Sequence, residues 1–222
     1  MPVEDDFKTF VENLKITNGD QISDRYGRIT RALNRKYRNT ESKTESLQVG
    51  SYGRFTAIKS ISDLDMIYEM PASQWIRFKE EGIGKQSTLL QEVKAAIKES
   101  YPNTKMRGDG QVVVVSFGNQ DVEVVPGFKQ EDGSYKYPEA KNGGKWKNTN
   151  PKAEIKAISE ANKVTQNVRR LCKMVRAWKR RQGVNIGGLL IDTLVYNFFL
   201  STDTYNSKGY RYYDELCRDF FE

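Results

Sequence analysis

Four carboxylates at short spacing are the residues of this chain best suited to chemistry. Asp63 and Asp65 lie in Asp63-Leu64-Asp65-Met66-Ile67-Tyr68-Glu69-Met70, and Asp121 and Glu123 in Asp121-Val122-Glu123-Val124-Val125-Pro126. Both stretches predict strands, on which alternate side chains share a face, so each pair of acids points one way. Carboxylates held side by side repel. Divalent cations between them offset that cost, and Mg²⁺-dependent phosphoryl chemistry requires such an arrangement. Asp63 and Asp65 are therefore candidate metal ligands, and either Asp121 or Glu123 can supply a third carboxylate. A cluster of three can hold two ions, and its third member is suited to deprotonating an attacking hydroxyl. Taken alone, Asp121 and Glu123 fit an edge strand with a wet acidic face equally well.

Gly50-Ser51-Tyr52-Gly53-Arg54 precedes the first pair. Gly50 and Gly53 let the backbone approach a ligand and expose amides, and Ser51 adds a hydroxyl donor. Such a nest suits the terminal phosphates of a triphosphate. A Gly-Ser pair by itself is no evidence; followed by the Asp63/Asp65 strand it points to a phosphate-and-metal site. A second polar feature is the row Arg169, Lys173, Arg176 and Arg180, at i, i+4, i+7 and i+11 of a helix predicted over 162–182. Beside it runs an apolar row of Val164, Val168, Leu171, Val175 and Trp178. Turned toward a carboxylate–metal site, the basic row would neutralise a triphosphate and stabilise departing pyrophosphate, with Lys173 and Arg176 flanking the apolar seam. Turned toward solvent, it has no specific task.

The elements that must position these residues follow from periodicity. Residues 5–38 predict two helices broken at Asn18-Gly19, with Asp20 capping the second. Ile22, Tyr26, Ile29, Leu33 and Tyr37 make its apolar stripe, and Arg25, Arg28, Arg31 and Arg35 its other face, expected to be solvated. A short strand over 46–49 leads into the glycine-serine turn. Residues 86–100 predict an amphipathic helix with Leu89, Leu90, Val93 and Ile97 inward, ended by Pro102. Val112–Phe117 and Val122–Val125, separated by Gly118-Asn119-Gln120, read as a hairpin. Residues 127–150 read as an ordered surface loop or small hairpin, and the chain is helical from about 152. The run 186–200 contains Asp192 and Asn197 and is too short for a membrane span, so it predicts a largely buried helix. Another, aromatic-rich helix is expected over 209–221.

Composition narrows the function. The chain has 222 residues, 37% of them hydrophobic, enough for a real core. Lys and Arg exceed Asp and Glu by 36 to 29, a net charge of +7 that favours polyanionic partners. There is no histidine, which removes every His-based triad, base and metal site. The two cysteines, Cys172 and Cys217, cannot build a disulfide framework or a four-cysteine zinc site. The acidic start Met1-Pro2-Val3-Glu4-Asp5-Asp6 lacks an apolar signal core, so the expected location is cytoplasmic, without a membrane.

Three motifs together resemble a known family. Val49-Gly50-Ser51-Tyr52-Gly53-Arg54-Phe55-Thr56-Ala57-Ile58, Ser62-Asp63-Leu64-Asp65 and Val122-Glu123-Val124-Val125-Pro126-Gly127-Phe128 are similar to the oligoadenylate synthase and cyclic GMP-AMP synthase branch of the polymerase-beta-like nucleotidyltransferases. The bacterial members, the CD-NTases of CBASS anti-phage defence, are the nearest in pattern. The resemblance implies an α+β fold: a mixed sheet flanked by helices, with N-terminal bracing helices, over 1–150, and a C-terminal helical lobe over 151–222, making a bilobal molecule. Relatives continue through further helices, so residue 222 is expected to fall short of the full lobe.

The resemblance also implies roles. Gly50, Ser51 and Arg54 hold the nucleotide, joined by Lys173 and Arg176 from the stretch Arg170–Lys179; Asp63 and Asp65 hold metal. The family's third acid falls three residues before the proline, at Glu123, with Asp121 on the same face in reserve. Two Mg²⁺ ions, or Mn²⁺, are the implied cofactors, ribonucleoside triphosphates the substrates, and a cyclic di- or trinucleotide the product. A product-sensing effector and regulatory partner proteins are the implied partners, and nucleic acid is left open. Gly188-Leu189 stands where several relatives carry a base-stacking Ser-Tyr pair, so base recognition is unassigned. The zinc-binding insertion of the animal DNA sensor is absent. Two other readings remain: a template-independent terminal nucleotidyltransferase that extends RNA, using the same carboxylates, and a catalytically silent module that binds nucleotide or RNA.

Overall fold

A computed structural model of the chain describes residues 2–59, 63–80, 84–118 and 120–222. Ser62, which opens the Ser62-Asp63-Leu64-Asp65 motif, and Asn119, in the expected hairpin turn, lie outside those residues. In chain order the elements are α1 (Val3–Asn13), α2 (Gly19–Arg38), β1 (Ser46–Gln48), the single helical turn α3 (Gly50–Gly53), β2 (Leu64–Glu69), α4 (Ala72–Phe78) and α5 (Lys85–Ser100). Then come β3 (Lys105–Asp109), β4 (Val112–Ser116), β5 (Asp121–Lys129), β6 (Tyr135–Glu139) and β7 (Lys145–Thr149), followed by α6 (Pro151–Val164), α7 (Asn167–Gln182), α8 (Gly188–Ser201) and α9 (Tyr213–Phe221). They form two compact units, each drawn from separated stretches: Asn18–Val49 with Asp63–Lys152, and Met1–Thr17 with Gly50–Ser62 and Ala153–Glu222.

The first unit is built on a mixed sheet of order β1-β2-β5-β4-β3, with β6 added to β5 and β7 to β6. β2 and β5 are parallel, and the remaining pairs antiparallel. One face carries Leu64, Met66 and Tyr68 of β2, Val122 and Val124 of β5 and Val113 and Val115 of β4, all fully buried. α2 and α5 pack on each other and on these strands, bringing Ile29, Leu33, Leu89, Val93 and Ile97 into the core. Alternation then sends the acids to the opposite face. The far end of that face is sealed by Val49, Ile67 and Tyr135 with Leu47 and Val125, so apolar and acidic residues divide one surface between them.

Several expectations change here. The turn at Asn18 is real, but Asp20 is not the cap: Asn18 occupies that position and makes no side-chain capping bond. The arginine row of α2 stays at the surface as expected, with Arg28 and Arg35 exposed, and there meets the protein's own groups. Arg25 lies over Phe117 at 4.7 Å and donates to Gln120 at 3.2 Å, Arg28 lies over Tyr101 at 4.5 Å, and Arg35 donates to Glu41 at 2.7 Å. β3 and α4 were not foreseen. Residues 127–150 contain the end of β5 and the β6–β7 hairpin, on which Trp146 packs edge-on against Trp75 and Phe128.

The second unit is helical. Val11 of α1 joins Ile158, Val168, Leu171, Cys172, Met174, Val175, Ile191, Val195, Tyr213 and Leu216 in one core, and Phe7 meets Tyr213 edge-on at 5.8 Å. Burial of these two α1 residues is why the chain's first stretch belongs with its last. The helix expected over 162–182 is broken: α6 ends at Val164, and the Asn167 N–H that opens α7 donates to Thr165 Oγ1 at 3.2 Å. Val164 and Trp178, expected in the core stripe, are 71% and 37% exposed. α8 is also less buried than its composition predicts. Ile191, Asp192 and Val195 are inside, whereas Leu189, Leu190, Leu194 and Leu200 are exposed.

Candidate active site

Parallel pairing of β2 and β5 sets Asp65 directly beside Glu123 in register. Paired residues point the same way, so one row crosses the sheet from Asp65 through Glu123 and Val114 to Arg107. Asp63 and Asp121 belong to the next row, tied by the Asp121 N–H, which donates to Asp63 Oδ1 at 3.3 Å. The four candidate carboxylates are thus brought onto one face of two adjacent strands. β5 lies between β2 and β4, which removes the edge-strand explanation of its acidic face. Asp65 is fixed from the other side as well: its carbonyl accepts the Val49 N–H at 2.9 Å, and Val49 is the residue from which the chain enters Gly50.

The electrostatics of this face are unfavourable without a cation. Glu123 is half-buried, and its pKa is raised, first by burial and then by the neighbouring charges of Asp63, Asp109 and Asp121, with Arg107 acting in the opposite sense. Arg107 lies 3.8 Å from Asp121. Among the described residues no three His, Cys, Asp or Glu side chains are already gathered around one point as metal ligands, so an ion would have to draw them together. The donor set itself fits: carboxylate oxygens alone, on one face, are the ligands of a hard divalent cation such as Mg²⁺, and a cation there would relieve the charge that opposes ionisation of Glu123.

The remaining candidates lie in the helical unit. Gly50 adopts φ +60°, the left-handed region that favours glycine, and starts the single turn α3. Gly53 has no such requirement. Ser51 is buried, and its carbonyl accepts the N–H groups of both Thr56 at 2.8 Å and Ala57 at 3.1 Å, closing the turn on itself. Arg54 is almost wholly buried. Its Nε donates to Asp192 at 2.7 Å and its NH1 to Glu154 at 2.7 Å. Arg176 likewise donates to Asp192 at 2.7 Å, and to the Gly188 carbonyl at 2.9 Å. Both guanidiniums proposed from sequence to hold nucleotide thus have internal carboxylate partners.

Lys173 differs. No ion pair engages it among the described residues, and its pKa is lowered, first by burial and then by the like charges of Arg169 and Lys15. That is an uncompensated cation, the condition an anionic ligand would relieve. Sequence reasoning missed Lys15, Thr56 and Asp192. Asp192 had one visible signal, a single acid inside an apolar helical run, which must be paired if buried.

Comparison with known proteins agrees with this architecture. A family model described as the Second Messenger Oligonucleotide or Dinucleotide Synthetase domain matches residues 1–162. No curated protein matches the chain. Among solved structures, CdnC of E. coli with ATP is similar at 13% identity and a TM-score of 0.67, over 91% of this chain and 67% of that one. The E. coli CdnC:HORMA complex matches at 14% identity and a TM-score of 0.66, over 92% and 65%. The Rhodothermus marinus CdnE c-UMP-AMP synthase with Apcpp and Upnpp matches at 19% and 0.63, over 87% and 74%. At such identities the likeness shows the fold. The chain spans about two thirds of the length of the CdnC chains it matches.

Proposed function

This chain belongs to the Second Messenger Oligonucleotide or Dinucleotide Synthetase family, and from that premise we propose that it joins ribonucleoside triphosphates into a cyclic di- or trinucleotide signal of anti-phage defence, releasing pyrophosphate. The observation that carries the reading is the registered pair Asp65 and Glu123 on adjacent parallel strands, with Asp63 on the same face. Asp63, Asp65 and Glu123 would hold two Mg²⁺ ions, with Asp121 beside them. When bound, Mg²⁺ supplies a Lewis acid that offsets charge developing on the α-phosphate and lowers the pKa of the attacking hydroxyl.

The residues of the chain do the rest. Glu123 takes the proton from a ribose hydroxyl of one nucleotide. The freed oxygen bonds to the α-phosphorus of a second, and the bond to the bridging oxygen breaks, its electron pair leaving with pyrophosphate. A second such step closes a dinucleotide ring, and a trinucleotide ring takes a third. The Gly50–Gly53 turn and Ser51 hold the terminal phosphates, and Lys173, with Arg169 and Lys15 nearby, neutralises them. Arg54 and Arg176 serve through the turn, by way of Asp192.

The partners that follow are ribonucleoside triphosphates, an effector that senses the product, and a regulatory protein; a HORMA partner sits on one similar structure. No helix among the described residues is long and apolar enough to cross a membrane. Replacing Asp63 and Asp65 together by Ala should abolish pyrophosphate release, because two of the metal's proposed ligands are gone. Wild-type turnover in that double variant would end the proposal.

A further inference from the structure

Residues 54–56, which carry the chain out of the glycine-serine turn, are held from three helices of the helical unit. From α8, the fully buried Asp192 accepts from Arg54 Nε at 2.7 Å and from Thr56 Oγ1 at 2.8 Å on the same oxygen, Oδ2. From α7, Arg176 donates to that oxygen at 2.7 Å and reaches Thr56 Oγ1 at 3.3 Å. From α6, Glu154 accepts from Arg54 at 2.7 Å. The backbone is clamped as well. Arg169 Nε donates to the Arg54 carbonyl at 3.1 Å while its NH2 donates to Ser159 at 2.9 Å. Between these fixed points Phe55 adopts φ +61°, a left-handed conformation that costs a bulky residue energy, and its ring lies 4.7 Å from the Arg169 guanidinium.

Asp192 and Glu154 balance Arg54 and Arg176 in charge, so these four are tolerable as a set and costly to break, while Arg169 adds a cation that binds through backbone and hydroxyl oxygens. Core packing alone does not account for a strained residue held at both ends, beside a turn whose Ser51 carbonyl is tied to Thr56 and Ala57. We propose that Asp192, through Arg54, Thr56 and Arg176, is a positioning centre that fixes the Gly50–Gly53 turn in the shape that receives the terminal phosphates, so that it governs triphosphate affinity and not the chemical step. The inference rests on the phosphate-holding role given to that turn above. A buried carboxylate that accepts three bonds on one oxygen leaves its partners no freedom, and a turn fixed in advance binds without reorganising.

The test uses Thr56, whose hydroxyl can be removed without emptying a charged site. In Thr56→Val, KM for ATP and its dissociation constant measured calorimetrically with Mg²⁺ should rise about tenfold, the scale of a lost charge-assisted hydrogen bond, while kcat stays within about twofold. Thr56→Ser, which keeps the hydroxyl, should restore affinity. A fall in melting temperature with unchanged KM would mean a merely structural network and overturn the proposal, as would a loss confined to kcat. Ser51→Ala separates the two layers of the argument. If it weakens ATP binding and Thr56→Val does not, the positioning role alone fails; if Ser51→Ala has no effect, the phosphate-holding turn fails, and the positioning role with it.

Discussion

In the proposed reaction, Glu123 is the residue at which stability and activity oppose each other. Its side chain is half-buried among other carboxylates, and its pKa lies above the ordinary 4.5. A carboxyl with a raised folded-state pKa adds stability when protonated; that contribution is whole below about 4.5 and disappears as the pH rises through the folded value. At neutral pH the free protein therefore carries a buried charge it would be more stable without. Glu123→Gln should melt at a higher temperature than wild type at pH 7.5 in the presence of a chelator, and the difference should vanish below pH 4, while nucleotide joining is lost. A lower melting temperature at neutral pH would show that Glu123 is already neutralised in the metal-free fold. The four carboxylates were legible in the sequence because acid and apolar residues alternate at a strand's own period. The task of Asp192 was not: a lone acid in an apolar run shows that it needs partners, and Arg54, Thr56 and Arg176 stand too far away in the chain to be named as those partners.

Among the elements, the parallel β2–β5 pair and α8 illustrate what periodicity can and cannot reveal. Gly127 lies on β5 where a Cβ would come within 2.8 Å of Ile67 Cγ2 and 3.2 Å of Tyr135 Cδ1. Gly127→Ala should then cost about 1–3 kcal/mol through overpacking, measurable by denaturant unfolding. Valine runs made β4 and β5 evident. β3, Lys105-Met106-Arg107-Gly108-Asp109, offers little apolar pattern and is a strand because β4 pairs with it. α8 misled in the opposite direction. A helix apolar on every side reads as buried all round, yet one stripe carries its packing. Ile191→Ala should cost about 2–5 kcal/mol, as large-to-small changes in a core do. Leu190→Ala, at a position 51% exposed, should stay within about 0.5 kcal/mol. Equal losses at both sites would mean that the exposed stripe packs as well.

For the molecule as a whole, the sequence pointed to a sheet followed by helices, but not to the exchange of segments between the two units. Met1–Thr17 and Gly50–Ser62 belong with residues from 153 onward, and contacts across such separations leave no periodic trace. The net charge of +7 suits an enzyme whose substrates carry several negative charges, and steering of that kind weakens with salt. Family membership and the acidic face converge on one chemistry, the formation of a phosphodiester from two triphosphates. The measurement that tests this most directly is incubation of the purified chain with all four ribonucleoside triphosphates and Mg²⁺ or Mn²⁺, phosphatase treatment, and mass spectrometry of what survives. The account predicts a phosphatase-resistant cyclic di- or trinucleotide that is absent when Asp63 and Asp65 are both replaced by Ala. Linear products extended on an added RNA, or nucleotide bound tightly with no pyrophosphate released, would contradict it.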